Sequence, residues 1–102
     1  MDNKPCCEQT DSLTPLQGQA LRSLARVKGQ VGGVQRLIQE RSYCVDVLNQ
    51  IHAARSALDS VAVLLMENHL ETCCTEAIRS DDPDLASARI KEFAETVRRF
   101  VK

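Results

Sequence analysis

Apolar residues recur in steps of three and four from Leu16 to Ile38, and a second such series runs from Cys44 to Cys73. The first series is Leu16, Ala20, Leu24, Val27, Val31, Val34 and Ile38. That period marks a helix with one covered side. Thr14 suits the N-cap, Pro15 the first helical position, and Gln17 completes a capping box, so the helix is predicted to begin there and reach about Glu40. Gly29, Gly32 and Gly33 lie inside it, each disfavoured by roughly 1 kcal/mol relative to alanine. Close contact with another helix is the expected return.

A short turn, Glu40-Arg41-Ser42, follows, with Ser42 placed to cap the next helix. The stretch Tyr43 to Arg79 holds no Gly or Pro and is predicted to be one continuous helix. Along it Cys44, Leu48, Ile51, Arg55, Leu58, Ala62, Leu65, His69 and Cys73 form a coiled-coil-like seam. A helix of about 36 residues is long for a globular domain and favours a partner from another subunit. Ser80-Asp81-Asp82-Pro83-Asp84 breaks the pattern. A third, amphipathic helix is predicted from about Leu85 to Val101, with Ile90, Phe93, Ala94, Val97 and Phe100 or Val101 on its apolar side. No segment alternates as a strand does. The predicted class is all-α, a three-helix subunit with one very long central helix. Residues 1–12 are polar and without period, and are expected to be a flexible tail ahead of a helical domain spanning 13–102.

The second seam carries the candidate chemistry. At ~1.5 Å rise per residue, Cys44 and His69 stand roughly 37 Å apart on a continuous helix. At ~100° per residue, Cys44, His69 and Cys73 nevertheless fall within about 20° of one line. One helix cannot close a site from them. An antiparallel copy brings Cys44 of one chain beside His69 and Cys73 of the other, which implies a metal or thiol site built across a symmetric dimer. Such a pair crosses near Ala57 and Leu58 and sets Arg55 near Asp59 of the other copy, giving the seam's interior charge a counter-ion.

Five cysteines behind a start, Met1 to Glu8, that lacks the features of a signal peptide point to a reducing, cytoplasmic setting. There, clustered cysteines indicate metal binding or redox chemistry rather than a disulfide scaffold. No apolar run approaches the ~20 residues of a membrane span. Two thiolates and an imidazole suit Cu(I), whereas Zn(II) would want a fourth ligand. Cys74 lies about 100° round the helix from Cys73 and reads as a packed or semi-exposed thiol. Cys6 and Cys7 are vicinal thiols that are either auxiliary ligands or incidental, and His52 points away from the stripe.

The net charge of −1 gives no global signature of nucleic-acid binding. Arg22, Arg26, Lys28, Arg36 and Arg41 nevertheless form a basic segment with no acid between Asp11 and Glu40, of the kind that contacts phosphates of double-stranded DNA. Arg89, Lys91, Arg98, Arg99 and Lys102 either extend that patch or keep the third helix solvated. With Tyr43, Phe93 and Phe100 as its only aromatics, the chain has no stacking platform for single strands. No nucleophile–base set or phosphate loop is present, so no enzyme is expected.

The segments Tyr43-Cys44-Val45-Asp46-Val47-Leu48, Gln50-Ile51, His69-Leu70-Glu71-Thr72-Cys73 and Val27-Lys28-Gly29-Gln30-Val31 resemble the CsoR family of bacterial copper-sensing transcriptional repressors. The resemblance covers about residues 16–102. It implies an antiparallel four-helix-bundle dimer, usually a dimer of dimers, whose apo form binds operator DNA and whose Cu(I) form releases it. It implies Cys44 as ligand from one subunit and His69 and Cys73 from the other. Tyr43, and Glu92 allowing for extra residues in the Ser80–Asp84 loop, would support the His ligand. The chain departs from the family where Ser23-Leu24-Ala25-Arg26 replaces an Arg-Leu-Lys-Arg stretch and where Ser60 replaces a basic residue. Two rivals remain at this point: a persulfide or aldehyde thiol sensor of the same fold, and a copper-buffering helical protein without DNA binding.

Overall fold

Thr14 opens the first helix as the capping box requires. Its Oγ1 accepts a hydrogen bond from the Gln17 backbone N–H at 3.1 Å, while Gln17 Oε1 accepts from the Thr14 N–H at 3.0 Å. The computed structural model describes residues 12–101. In it α1 spans Pro15–Gln39. The chain leaves α1 through Arg41, a non-glycine residue at φ 56°. The N–H of Ser42 donates to Leu37 O (2.9 Å) and that of Arg41 to Ile38 O (3.1 Å), the double closure of a Schellman motif.

That closure overturns the expected cap. The N–H of Ser42 closes α1, and it is the Tyr43 carbonyl that accepts the first bond of the next helix, from the Val47 N–H (3.2 Å), so the N-cap is Tyr43, which makes no side-chain capping bond. Helix α2 spans Cys44–His69, continues through a π-helical turn, Leu70–Cys74, and runs on as α3, Thr75–Arg79. The extent of the long rod agrees with expectation, but its uniform α pitch does not. Thr72 Oγ1 donates to Asn68 O (2.8 Å) and Thr75 Oγ1 to Leu70 O (2.9 Å). Such hydroxyl back-bonds compete with the backbone ladder and accompany local distortion. Asp82 caps α4, its Oδ1 accepting from the N–H groups of Asp84 (3.1 Å) and Leu85 (3.2 Å). Helix α4 therefore spans Pro83–Arg98, starting at Pro83 rather than Leu85 and ending short of Val101. No strand occurs among the described residues.

Helices α1 and α2 pack as an antiparallel hairpin on residues seven apart, Ala20 and Val27 against Ala54, Val61 and Asn68. Ala57 and Leu64 flank this contact. Cys73, Cys74 and Ala77 complete the buried set at the far end of the rod. The core is thin and the subunit elongated, 58 × 31 × 22 Å, with a radius of gyration of 17.7 Å. A compact domain of this length would have about 13 Å. Leu21, Leu24, Val31, Leu48, Ile51, Leu58 and Leu65 remain exposed, an apolar surface larger than scattered leucines account for.

The glycines do not serve the close contact expected of them within the subunit. A Cβ at Gly29 or Gly32 would meet nothing within 4 Å. Gly29 lies about 160° round α1 from buried Val27. Of the three, only Gly33 looks toward α2, its nearest neighbour there being Gln50 Nε2 at 3.9 Å.

Candidate metal centre

His69 is the last residue of α2 and Cys73 falls inside the π turn. In an α-helix four residues overshoot one turn by about 40°. The i→i+5 bonds of a π turn fit more residues per turn, so the step from His69 to Cys73 departs from that ideal. Two of the three sequence-predicted ligands therefore sit at one end of the rod, on either side of the change of pitch.

The His69 ring stacks on Phe93 of α4, with centroids 4.8 Å apart and an interplanar angle of 25°. Leu65, Met66, Glu92 and Val97 join them around a groove of about 430 Å³ between rod and α4. Burial lowers the His69 pKa below its ordinary value; the Glu92 carboxylate opposes that shift and the Arg89 guanidinium adds to it. The imidazole is accordingly held neutral near pH 7, the form in which it ligates metals.

Cys73 is 1% exposed and lies 3.8 Å from Thr72 Oγ1. It is disulfide-bonded in this structure, whereas Cys44 and Cys74 are free thiols. Metal ligation requires Cys73 to be reduced first, because the thiolate is the ligand. Burial raises the Cys74 pKa, which keeps that thiol protonated and separates it chemically from the ligand set. Cys6 and Cys7 lie outside the described residues.

Cys44 sits at the opposite end of the rod, exposed, in a groove with Ile38, Arg41, Val47 and Leu48. Tyr43 beside it is 70% exposed. The subunit therefore gathers His69, Cys73 and Glu92 at one end and leaves Cys44 and Tyr43 at the other. Among the described residues no three His, Cys, Asp or Glu side chains stand close enough to hold a metal. The ligand stripe lies about a quarter turn from Val61, which packs on α1. It shares its side of the rod with exposed Leu48, Ile51, Leu58 and Leu65.

Arg22, Arg26, Lys28 and Arg36 are all exposed on α1, but they do not form one face. Arg22, Arg26 and Arg36 fall within about 80° of arc, together with Gly29 and Gly33. Lys28 is about 120° from Arg22 and lines a groove with Leu21, Leu24 and Leu58. His52 is exposed, away from the ligand end. Sequence reasoning missed Asn68, a buried polar residue adjoining His69, as well as the stacking role of Phe93 and the charge of Arg89.

Comparison with known proteins identifies the class first. The sequence pattern of the metal-sensitive transcriptional repressors matches residues 17–99, and the chain belongs to that family, one of regulators and not of enzymes. Its relatives include the copper-sensing transcriptional repressor RicR of Mycobacterium tuberculosis, 43% identical over 79% of this chain and 83% of that protein. The copper-sensing transcriptional repressor CsoR of Bacillus subtilis is 38% identical over 82% and 80%. Among solved structures, the copper-sensing repressor CsoR with Cu(I) from Geobacillus thermodenitrificans NG80-2 aligns with a TM-score of 0.75 and 31% identity, covering 91% of this chain and 95% of that one. No helix among the described residues is long and apolar enough to cross a membrane.

Proposed function

We propose that this protein is a cytoplasmic Cu(I)-responsive transcriptional repressor whose metal site is completed only between two antiparallel subunits. One observation carries the reading: Cys44 and the His69–Cys73 pair share a line along the rod, at opposite ends, beside an apolar seam left uncovered. Cys44 of one subunit and His69 and Cys73 of a second copy would hold one copper ion. Two thiolates and a neutral imidazole fit a soft, low-coordinate ion. The copper-sensing relatives support the same choice.

When bound, the ion would supply a bond from rod to rod. The rest belongs to the chain's own groups. Glu92 and Phe93 orient the His69 ring from α4, and Tyr43 of the other copy approaches it with Cys44. Arg55 meets Asp59 across the pair. Arg22, Arg26 and Arg36 present the operator-binding face of α1. Ligation that favours a bundle geometry with lower operator affinity releases the DNA by linkage. Dimers of such dimers would complete the assembly.

The test uses fully reduced, anaerobic protein. Chelator-competed Cu(I) titration should give tight binding of one ion per subunit, lost in Cys44→Ala, His69→Ala and Cys73→Ala alike. Mixing Cys44→Ala with Cys73→Ala subunits should restore one of the two sites in each mixed dimer and none in the unmixed dimers. Operator release by copper in the His69→Ala protein would defeat the reading. A second reading in the same fold is a thiol sensor acting through Cys44 and Cys73, for which the exposed, free Cys44 supplies an accessible thiol. In that case a persulfide donor releases the operator and His69→Ala leaves the response intact.

A further inference from the structure

A side-chain hydrogen bond ties the start of α1 to the ligand end of the rod. Thr14 Oγ1 donates to Asn68 Oδ1 at 2.6 Å, across 54 residues of sequence. Asn68 is 4% exposed and is the buried polar residue of the described core. It immediately precedes His69 and occupies the position seven residues beyond Val61 on the face that packs α1. The Thr14 hydroxyl works in both directions: it gives its proton to Asn68 and accepts the Gln17 N–H as the N-cap of α1. Asn68 is likewise engaged on both sides. Its backbone carbonyl accepts from Thr72 Oγ1 at 2.8 Å, and that hydroxyl lies 3.8 Å from Cys73 Sγ.

We propose that the Thr14–Asn68 hydrogen bond is the coupling contact between the metal ligands and the DNA-binding helix, with Thr14 and Asn68 acting as positioning residues. The inference rests on the reading of the site as a copper-responsive switch. A π turn is a local departure from the α ladder, an element with an alternative packing, and elements of that kind carry coupling between sites. Drawing His69 and Cys73 toward a third ligand on another subunit resets the turn whose Thr72 hydroxyl bonds the Asn68 backbone carbonyl. Because Asn68 is buried and grips the N-cap hydroxyl, α1 must follow at its first turn, or the buried amide oxygen loses its partner. Arg22 and Arg26 lie two and three turns further along α1, so a displacement at Thr14 re-aims them.

Four proteins are compared after full reduction: wild type, Thr14→Ser, Thr14→Val and Asn68→Leu. For each, chelator competition gives the Cu(I) affinity, a band shift gives operator affinity without and with Cu(I), and circular dichroism gives the melting curve. Thr14→Ser keeps the hydroxyl and should keep the wild-type ratio of the two operator affinities. Thr14→Val and Asn68→Leu should bind copper and, as apo-proteins, the operator to within a few-fold of wild type. Their ratio, however, should shrink by about fivefold or more, the size of an ordinary coupling. Thr14→Val removes the cap as well, whereas Asn68→Leu leaves it, so agreement between the two assigns the effect to the shared bond. Wild-type ratios in Thr14→Val and Asn68→Leu would overturn the inference. So would equal losses of copper and DNA binding that track a lowered melting temperature. Failure of copper to release the operator from the wild-type protein is a different outcome and would sink the copper-switch reading itself.

Discussion

His69 and Phe93 stack ring on ring, 4.8 Å between centroids and 25° between planes. A candidate ligand at the end of one helix is thereby held by a residue of another. Aromatic pairs of this geometry contribute about 0.5–1.5 kcal/mol beyond burial. If the stack preorganises the imidazole, Phe93→Leu should lower Cu(I) affinity by roughly two- to tenfold while leaving one site per subunit. His69→Ala should abolish tight binding altogether. Chelator competition on reduced protein separates the two, and an unchanged affinity in Phe93→Leu would remove α4 from the account of the site.

The same burial makes apo-protein stability depend on pH with a definite sign. The folded chain holds the His69 pKa below the ordinary value of about 6.5, so the unfolded chain binds the proton more readily. Stability from this source is complete above pH ~6.5 and declines as pH falls through the window between that value and the lowered native one. His69→Gln should flatten this part of the curve. Urea midpoints of apo-protein at matched protein concentration, taken between about pH 5 and 7.5, provide the check.

Much of this architecture was legible because it is written locally. Thr14, Pro15 and Gln17 specify a helix start wherever the rest of the chain goes, and the absence of Gly and Pro from Tyr43 to Arg79 carries the rod. The π turn was not legible. It coincides with the hydroxyls of Thr72 and Thr75 turned back on their own helix, and apolar spacing is blind to that choice. Ser42 was misassigned because either of two adjacent residues could precede the rod, and the Schellman closure of α1 decided between them. Asn68 had a visible signal, a polar residue continuing the seven-residue step of Ala54 and Val61, but the ligand seam a quarter turn away offered the stronger period. The ligand stripe was readable as a line, whereas the positions of Phe93, Glu92 and Arg89 around His69 depend on how α4 folds back.

The left-handed residues in the two turns differ in how well they suit their places. Arg41 at φ 56° and Asp81 at φ 61° both adopt a conformation disfavoured for L-residues. Aspartate tolerates it better than arginine, and glycine is at home there. Arg41→Gly should therefore stabilise the protein by about 0.5–1 kcal/mol, raising Tm by roughly 2–8 °C, and Asp81→Gly by less. Thermal unfolding at one fixed protein concentration measures both, since association contributes to apparent stability. A lower Tm for Arg41→Gly would show that the arginine side chain contributes more than its backbone strain costs.

Gly29 sets stability against DNA binding in a way one substitution can separate. A Cβ there meets nothing within 4 Å of the subunit, so Gly29→Ala should gain about 1 kcal/mol of helix propensity and raise Tm. Gly29 also lies about 20° from Arg22 and Arg36 and about 60° from Arg26 round α1. If DNA approaches that face closely, the added methyl stands between backbone and phosphate, and apo-operator affinity should fall as stability rises. Arg22→Ala, Arg26→Ala and Arg36→Ala should each flatten the dependence of log affinity on log salt by about one. Lys28→Ala should leave that slope nearly unchanged, because Lys28 points toward the Leu58 groove. Band shifts at several salt concentrations, read beside melting curves, decide the matter. A Gly29→Ala protein that is more stable and binds its operator as tightly as wild type, with arginine variants of undiminished slope, would place the DNA on another face of the assembly.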